Sequence, residues 1–211
     1  MLLRFLLKQL SRPSGLLGKY ILGAFWNRRN RKLNDLTLRK LKIEQSDKIL
    51  EVGFGGGYLI GKMLNGGVSL LAGIDASEEM VRNARRRYAR EISSKILNVA
   101  CCAVEDIQFP SAAFSKACSV NSIFYWHNLE SGLRQMYRVL KPTGHVFITF
   151  TAKRDIDKKG MNRDGLTSYS EEEVRRRLAA VGFQRIEKTE GQDRYRKFLC
   201  ISAQKMHENS V

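Results

Sequence analysis

The hydrophobic pattern of the chain changes near residue 48. Before it, apolar positions at helical spacing are mixed with basic residues, whereas from Lys48 onward short apolar runs alternate with amphipathic segments. The runs that predict strands are KILEVGF, VSLLAGID, ILNVACCAV, FSKACSVNSIF, GHVFITF, FQRIEKTEG and KFLCISAQK. The segments that predict helices are YLIGKML, SEEMVRNARRRYAREI, ESGLRQMYRVL and SEEEVRRRLAAVG, with Ser77 and Ser170 placed to cap two of them and Gly182 to end the last.

This alternation predicts an α/β fold. Strands separated by helices of about 10–15 residues indicate crossover units, and hence a doubly wound, Rossmann-like, mostly parallel sheet with helices on both faces. The last two predicted strands are joined by a short loop, so we expect an antiparallel pair at one edge. No internal repeat interrupts the pattern.

Charge and composition narrow the class of protein. The 211 residues are 43% hydrophobic and 27% charged, which is typical of one globular domain, but the net charge is +16. Residues 1–48 hold twelve Lys or Arg against three acidic residues, which favours an anionic partner such as a bilayer surface, a nucleic acid or an acidic substrate. The start, MLLRFLLKQL, is interrupted by Arg4 and Lys8. We therefore interpret it as an amphipathic helix rather than a signal peptide.

The four cysteines lie in apolar runs without metal-ligand spacing. We expect them to be buried, reduced thiols of a cytoplasmic protein that binds no metal.

The main chemical signal is a glycine-rich loop after the first predicted strand. Gly53 and Gly55 begin a dinucleotide fingerprint, but Tyr58 stands at the third glycine, and the Lys-Ser/Thr pair of a phosphate loop is absent. Glu51 would repel a pyrophosphate but could hold an ammonium group. Asp75, about 20 residues after the loop at the end of the second strand, can accept from both hydroxyls of a ribose. A ligand with a cationic amino-acid tail, a ribose and no phosphate fits best, which describes S-adenosylmethionine.

The segments ILEVGFGGG, GIDAS, LRQMYRVLKPTGHVFITF and SYSEEEVRRRLAAVGF together resemble the class I S-adenosylmethionine-dependent methyltransferases. Within that family, the chain is similar to the small-molecule group that includes the ubiquinone/menaquinone-biosynthesis methyltransferases, over residues 16 to about 204. The resemblance implies a seven-stranded sheet with one antiparallel strand and an N-terminal helical lid. We accordingly divide the chain into a basic lid or anchor segment (1–47), a cofactor-binding core (48–206) and a tail (207–211).

The resemblance also implies a set of cofactor contacts. By this resemblance, Glu51, the loop glycines and Asn121 contact the methionine half of the cofactor. Asp75 binds the ribose, and the segment AVEDIQFP holds the adenine. The chain departs from the family pattern at Ala103, where Asp is common, and at Phe114-Ser115, where Phe-Asp is common. The implied contacts are Glu51, Gly53, Gly55, Gly57, Asp75, Ala76, Met80, Val104, Glu105 and Asn121.

The acceptor side is expected after the fourth strand, in SIFYWHNLESG. His127 and Tyr125 are the candidate catalytic residues, and Trp126, Tyr20 and Trp26 are candidate acceptor contacts. His127 could act as a general base, since an unperturbed imidazole titrates near neutral pH, or it could be a solvated loop residue. Trp26 could equally be a core residue.

We expect methyl transfer to a small, hydrophobic or aromatic acceptor. The alternatives are an RNA or protein methyltransferase that uses the basic surface, and a non-catalytic cofactor-binding protein. Residues 1–12 could make peripheral contact with an anionic membrane or form a solvated face of the lid, and nucleic acid is the least favoured partner because the chain has no room for an appended recognition module.

Overall fold

The computed structural model describes residues 29–157 and 167–207. Its helices are α1 (Arg31–Leu41), α2 (Tyr58–Asn65), α3 (Glu78–Arg87), α4 (Ala89–Ser93), α5 (Leu129–Val139), α6 (Lys153–Asp157) and α7 (Glu171–Val181). Its strands are β1 (Lys48–Val52), β2 (Leu70–Asp75), β3 (Leu97–Cys101), β4 (Phe114–Val120), β5 (Leu140–Thr151), β6 (Phe183–Gln192) and β7 (Lys197–Lys205). Short 3-10 turns occupy Val104–Asp106 and Ile123–Tyr125.

The strands form one seven-stranded sheet in the order β3-β2-β1-β4-β5-β7-β6. The pairs β1–β2, β1–β4, β2–β3 and β4–β5 are parallel, whereas β7 is antiparallel to both β5 and β6. The predicted α/β class, the strand count and the single antiparallel strand are therefore confirmed. Because the chain leaves β1 toward β2 and later returns to the other side of β1 as β4, the strand order reverses there, and the carboxyl ends of β1 and β4 border a crevice.

Both faces of the sheet are covered. Ile49 of β1 faces a core that includes Leu33 of α1 and Leu59 of α2, whereas Leu50 and Val52 face the opposite core, formed with α5 and α7. A strand that is buried on both faces has a nearly continuous run of apolar residues in its sequence. This is why β1 does not alternate between apolar and polar residues.

The predicted caps are confirmed. Ser77 accepts a hydrogen bond from the backbone N–H of Met80 at the start of α3, and Ser170 and Glu173 form a reciprocal capping box at the start of α7. Gly182 ends α7 with a φ of 107°, in the left-handed region that favours glycine.

Several predicted elements end earlier than the pattern indicated, and two of these ends have a clear physical cause. The single helix expected from Ser77 to Ile92 is broken at Tyr88, whose buried hydroxyl donates to the carbonyl of Gly57 at 2.7 Å. The fourth strand ends at Val120 rather than continuing to Phe124, because Asn121 has a φ of 58° and leaves the extended conformation.

All four cysteines are free thiols, and Cys118 and Cys200 are buried as expected. The expectation of burial is wrong for Cys101, which is exposed as the last residue of the edge strand β3, and it holds only in part for Cys102, which is partly buried. None of the helices within 29–157 and 167–207 is long and apolar enough to cross a membrane.

Candidate functional site

The glycine loop lies at the crevice, between the end of β1 and the start of α2. A Cβ atom on Gly53, whose φ is 72°, would stand 2.5 Å from the Cβ of Ser122, so this glycine allows the turn after β4 to pack against the end of β1. A Cβ on Gly55 would meet no atom of the described chain within 4 Å. Gly55 is therefore the loop glycine with open space in front of it, where a ligand can approach the backbone.

Asp75 connects this loop to the next strand end. Its Oδ2 accepts a hydrogen bond from the N–H of Gly55 at 2.8 Å, and its Oδ1 accepts one from the N–H of Ser77 at 2.9 Å. Burial raises the pKa of Asp75, although both N–H donors oppose that rise. Each carboxylate oxygen has a second lone pair, so Asp75 can still accept from ribose hydroxyls while it holds the loop.

Glu51 is a buried carboxylate whose hydrogen bonding is incomplete. The residue is 3% exposed, and its Oε2 has no hydrogen-bond partner among the described residues. Burial raises the pKa of Glu51 well above its usual range, the charge of Asp75 raises it further, and the backbone N–H of Ile60 lowers it. A buried carboxyl oxygen without a partner becomes favourable to ionise when a cation is placed beside it, so the residues at this end of the sheet fit S-adenosylmethionine, whose amino-acid tail carries an ammonium.

The predicted adenine segment packs against the predicted acceptor loop. The side chain of Val104 is buried beside Trp126 and Gly132, where a Cβ on Gly132 would come within 2.9 Å of Val104 Cγ1. Glu105 Oε1 accepts from the N–H of Asn128 at 3.1 Å. One oxygen of Glu105 is therefore already used by the acceptor loop. Ala76 is exposed, whereas Met80 is buried under the crevice with the core around α3.

Asn121 follows β4 in a left-handed conformation that Asn tolerates better than most residues. Its Oδ1 accepts from both the backbone N–H and the hydroxyl of Thr151, each at 2.9 Å, and its Nδ2 donates to Asn30 Oδ1 at 3.3 Å. The Asn121 side chain is thus held in one orientation by Thr151 and Asn30, and the next residue, Ser122, packs against Gly53.

The acceptor-loop residues have three different environments. Tyr125 is partly buried, and burial raises the pKa of its phenol to about 12. Trp126 is a core residue, 8% exposed, and its indole N–H donates to Ser122 Oγ at 3.2 Å, so the contacts it makes here are internal. The His127 side chain is 71% exposed, and its Nδ1 lies 3.9 Å from Glu105 Oε2.

Tyr20 and Trp26 lie outside the described residues, as do residues 1–12. Among the described residues, no group of three or more His, Cys, Asp or Glu side chains is placed to hold a metal ion.

Sequence reasoning missed three residues around the site. Ser122 contacts Gly53, Tyr88 hydrogen-bonds the end of the glycine loop, and Arg196 lies buried near Asn121. Ser122 directly follows Asn121 and could have been inferred from that neighbour, but no pattern in the sequence distinguishes Tyr88 or Arg196 from surrounding residues.

Fold and crevice together define a nucleoside-cofactor-binding α/β protein, and comparison with known proteins gives the family. Residues 50–148 match the model of a methyltransferase domain. A Bacillus subtilis protein named uncharacterized methyltransferase YdaC is 37% identical over 131 residues, which are 62% of this chain and 68% of that protein. The chain belongs to the class I S-adenosylmethionine-dependent methyltransferases, and its cofactor is S-adenosylmethionine.

Two further similarities come from more distant proteins. The ubiquinone/menaquinone biosynthesis C-methyltransferase UbiE of Geotalea daltonii is 31% identical over 122 residues, and the match covers 56% of this chain and 52% of UbiE. A Haloferax volcanii methyltransferase solved with the activator Trm112 superposes with a TM-score of 0.79 over 90% of this chain and 96% of that one, at 17% identity. The similarity to the Haloferax volcanii protein shows a common fold and nothing about function.

Proposed function

We propose that this methyltransferase acts on a small acceptor of hydrophobic or aromatic character. The observation that carries the proposal is the aromatic loop after β4, where Tyr125 is partly buried at the carboxyl end of the sheet and Phe124 and Trp126 form the core behind it. The similarity to a methyltransferase named for ubiquinone/menaquinone biosynthesis supports the same class of acceptor.

We further propose that the cofactor is held by the carboxyl ends of β1, β2 and β4. In this arrangement Glu51 pairs with the ammonium, Asp75 accepts from the ribose, and Asn121 contacts the methionine half. Gly55 leaves room for the backbone to approach the ligand. The remaining proposed contacts are Gly53, Gly57, Ala76, Met80, Val104 and Glu105.

When bound, S-adenosylmethionine would supply an electrophilic methyl group for the acceptor. The chain then has to orient the acceptor, exclude water and remove a proton where the acceptor carries one. Tyr125 remains protonated at neutral pH because the pKa of its phenol is about 12, so it can donate a hydrogen bond to the acceptor but is a poor base. His127 has an exposed imidazole beside the carboxylate of Glu105, and it is the group we assign to take the proton.

The basic N-terminal segment has a separate proposed role. The interleaved Leu, Phe, Arg and Lys of residues 1–12 are the composition of a helix that lies at an anionic bilayer surface. A hydrophobic acceptor dissolved in that bilayer would then be close to the enzyme.

The acceptor proposal is tested with purified full-length protein and methyl-labelled S-adenosylmethionine. The protein is incubated separately with lipid extract, polar small molecules, RNA and protein, and the labelled products are identified by mass spectrometry. We expect the label in a lipid-extractable compound of low mass, and much less of it when Asp75→Ala replaces the wild type at the same cofactor concentration. Label in RNA or protein would contradict the proposal and favour the alternative macromolecular acceptors.

A further inference from the structure

A buried arginine lies at the carboxyl ends of β4 and β5. Arg196 is 7% exposed, although it stands in the turn between β6 and β7, where arginine usually points into solvent. Asp193 is its ion-pair partner, with Oδ2 3.4 Å from Nε, and Asp193 Oδ1 also accepts from the backbone N–H of Arg196. Burying a guanidinium is costly unless its donors are satisfied, so the partners of the remaining N–H groups indicate what the residue does.

The remaining N–H groups of the Arg196 guanidinium donate to residues on the proposed cofactor side of the crevice. The Nη1 of Arg196 donates to Thr151 Oγ1 at 3.1 Å, and Nη2 donates to Asn30 Oδ1 at 2.8 Å and to the carbonyl of Arg29 at 2.6 Å. Thr151 and Asn30 are also the two residues that hold the Asn121 side chain. Arg196 therefore touches both of the groups that orient Asn121, without touching Asn121 itself.

The same contacts connect three separate parts of the chain. Asn30 directly precedes α1, Thr151 ends β5, and Arg196 directly precedes β7. Next to Asn121, Ser122 packs against Gly53, so the connection continues to the glycine loop. A guanidinium is suited to this position because its N–H donors lie in one rigid plane and point in fixed directions.

We propose that Arg196 is a positioning residue for the cofactor site: through Thr151 and Asn30 it orients the Asn121 amide and holds the entry of α1 against the crevice. The proposal rests on the assignment of Asn121 to the cofactor and is independent of which acceptor is used. Removing the guanidinium should allow the Asn121 side chain to reorient and should weaken cofactor binding, whereas a purely structural arginine would affect stability alone.

The test compares cofactor affinity in four single variants and one double variant by isothermal titration with S-adenosylmethionine, with circular dichroism to establish folding. Asn121→Gly removes the amide and still permits the positive φ, and Arg196→Met removes the guanidinium. Each should weaken binding about tenfold, the scale of one well-oriented hydrogen bond to a charged ligand. Because Arg196 acts through Asn121, the double variant should bind the cofactor about as tightly as the single variant with the lower affinity. The two losses of affinity should not multiply.

Thr151→Val and Arg138→Met complete the design. Thr151→Val keeps the side-chain shape and removes one of the two bridges between Arg196 and Asn121, that of the Thr151 hydroxyl, while the bridge through Asn30 remains. It decides the question if Arg196→Met does not fold. Arg138 is the matched control, since it is a partly buried arginine that donates to the carbonyls of Ile107 and Phe109. We expect Arg138→Met to lower the melting temperature with unchanged cofactor affinity.

The proposal is overturned if folded Arg196→Met, or Thr151→Val where Arg196→Met does not fold, binds the cofactor as tightly as the wild type. It is also overturned if the losses in Arg196→Met and Asn121→Gly multiply in the double variant. If Asn121→Gly binds the cofactor as tightly as the wild type, Asn121 does not contribute to cofactor binding and the proposal for Arg196 fails. Because none of these measurements uses an acceptor, none of these outcomes bears on the acceptor proposed above.

Discussion

Replacing Glu51 with glutamine tests the proposed contact between the protein and the ammonium of its cofactor. The substitution removes one negative charge from the end of β1 and keeps the shape of the side chain. In the wild type, the carboxylate is almost fully buried and its Oε2 is unpaired among the described residues. Burial and the charge of Asp75 both raise the pKa of Glu51, so the ionised form is disfavoured until a cation arrives.

The expected loss of affinity follows from that burial. Truncating one partner of a buried, hydrogen-bonded charge pair costs about 2–5 kcal/mol. Glutamine keeps a carbonyl that can accept from the ammonium, so we expect about 2–4 kcal/mol, which weakens the dissociation constant about 30- to 700-fold.

The stability of the free protein should change in the opposite direction. Because the folded-state pKa of Glu51 is raised, the folded chain keeps a proton at pH values where the unfolded chain has lost it. The contribution of Glu51 to the stability of the wild type is therefore fully present below the pKa that Glu51 has in the unfolded chain. That contribution is lost as the pH rises through the pKa that Glu51 has in the folded chain. Glutamine does not titrate, so the free variant should be more stable than the wild type at neutral pH. We expect a higher melting temperature for Glu51→Gln than for the wild type at neutral pH, and a difference that disappears in acid.

Both effects can be measured on the same preparations. Isothermal titration with S-adenosylmethionine gives the affinity, and thermal denaturation of the free protein from acid to neutral pH gives the stability. Glu79→Gln is the matched control, because Glu79 Oε1 is also buried without a partner among the described residues, while its other oxygen lies 3.5 Å from Arg82. We expect the control to bind the cofactor as the wild type does. Wild-type affinity in folded Glu51→Gln would refute the ammonium contact, and an equal loss in Glu79→Gln would show that the effect is not specific.

Four further substitutions or deletions give measurable outcomes. Asp75→Ala should weaken S-adenosylmethionine binding by about 2–3 kcal/mol in a titration, and unchanged affinity in the folded variant would exclude the ribose contact. Gly55→Val should abolish that binding, because its side chain would fill the open space before the loop and would strain a backbone whose φ is 51°, while the circular dichroism spectrum should stay near that of the wild type. His127→Ala should lower turnover at pH 7 about 10²-fold with little change in cofactor affinity, whereas a loss below about threefold would indicate a solvated loop residue. Deleting residues 1–12 should remove co-sedimentation with anionic vesicles and leave cofactor affinity intact. If the full-length protein does not bind vesicles and the deletion abolishes cofactor binding, the segment belongs to the lid.

The fold was predictable because its determinants are local and periodic. Strands such as β1 and β7 are apolar runs bounded by polar residues, and the caps at Ser77 and Ser170 depend only on residues within one turn. The errors occurred where a distant contact overrides the local pattern. The helical pattern continues past Tyr88, but the chain breaks there while the Tyr88 hydroxyl donates to Gly57, 31 residues earlier in the sequence.

The candidate site was predictable only in part, for the same reason. Glu51 and Asp75 could be named from their places at strand ends, and the structure brings Asp75 to the glycine loop. By contrast, the carboxylate of Glu105 remains a predicted adenine contact, but the sequence did not predict that one of its oxygens accepts from Asn128. The partner of a surface carboxylate depends on which loops meet across the sheet, and a pattern of 10–15 residues does not contain that information.

The glycine loop shows how one motif combines two physical requirements. At Gly53 a side chain would collide with Ser122, so the requirement comes from the protein's own packing. At Gly55 the space is open and the backbone N–H donates to Asp75, and the φ of 51° lies in the left-handed region that favours glycine, so the backbone conformation itself requires glycine while the open space leaves room for the proposed ligand. Both glycines look alike in the sequence. Because Ser122 directly follows Asn121, the packing at Gly53 also places the end of β4 against the loop, so the conformation of the cofactor site depends on the turn that leads into the acceptor loop. The same turn therefore borders the proposed cofactor contacts on one side and the proposed acceptor contacts on the other, as transfer of a methyl group between two bound molecules requires.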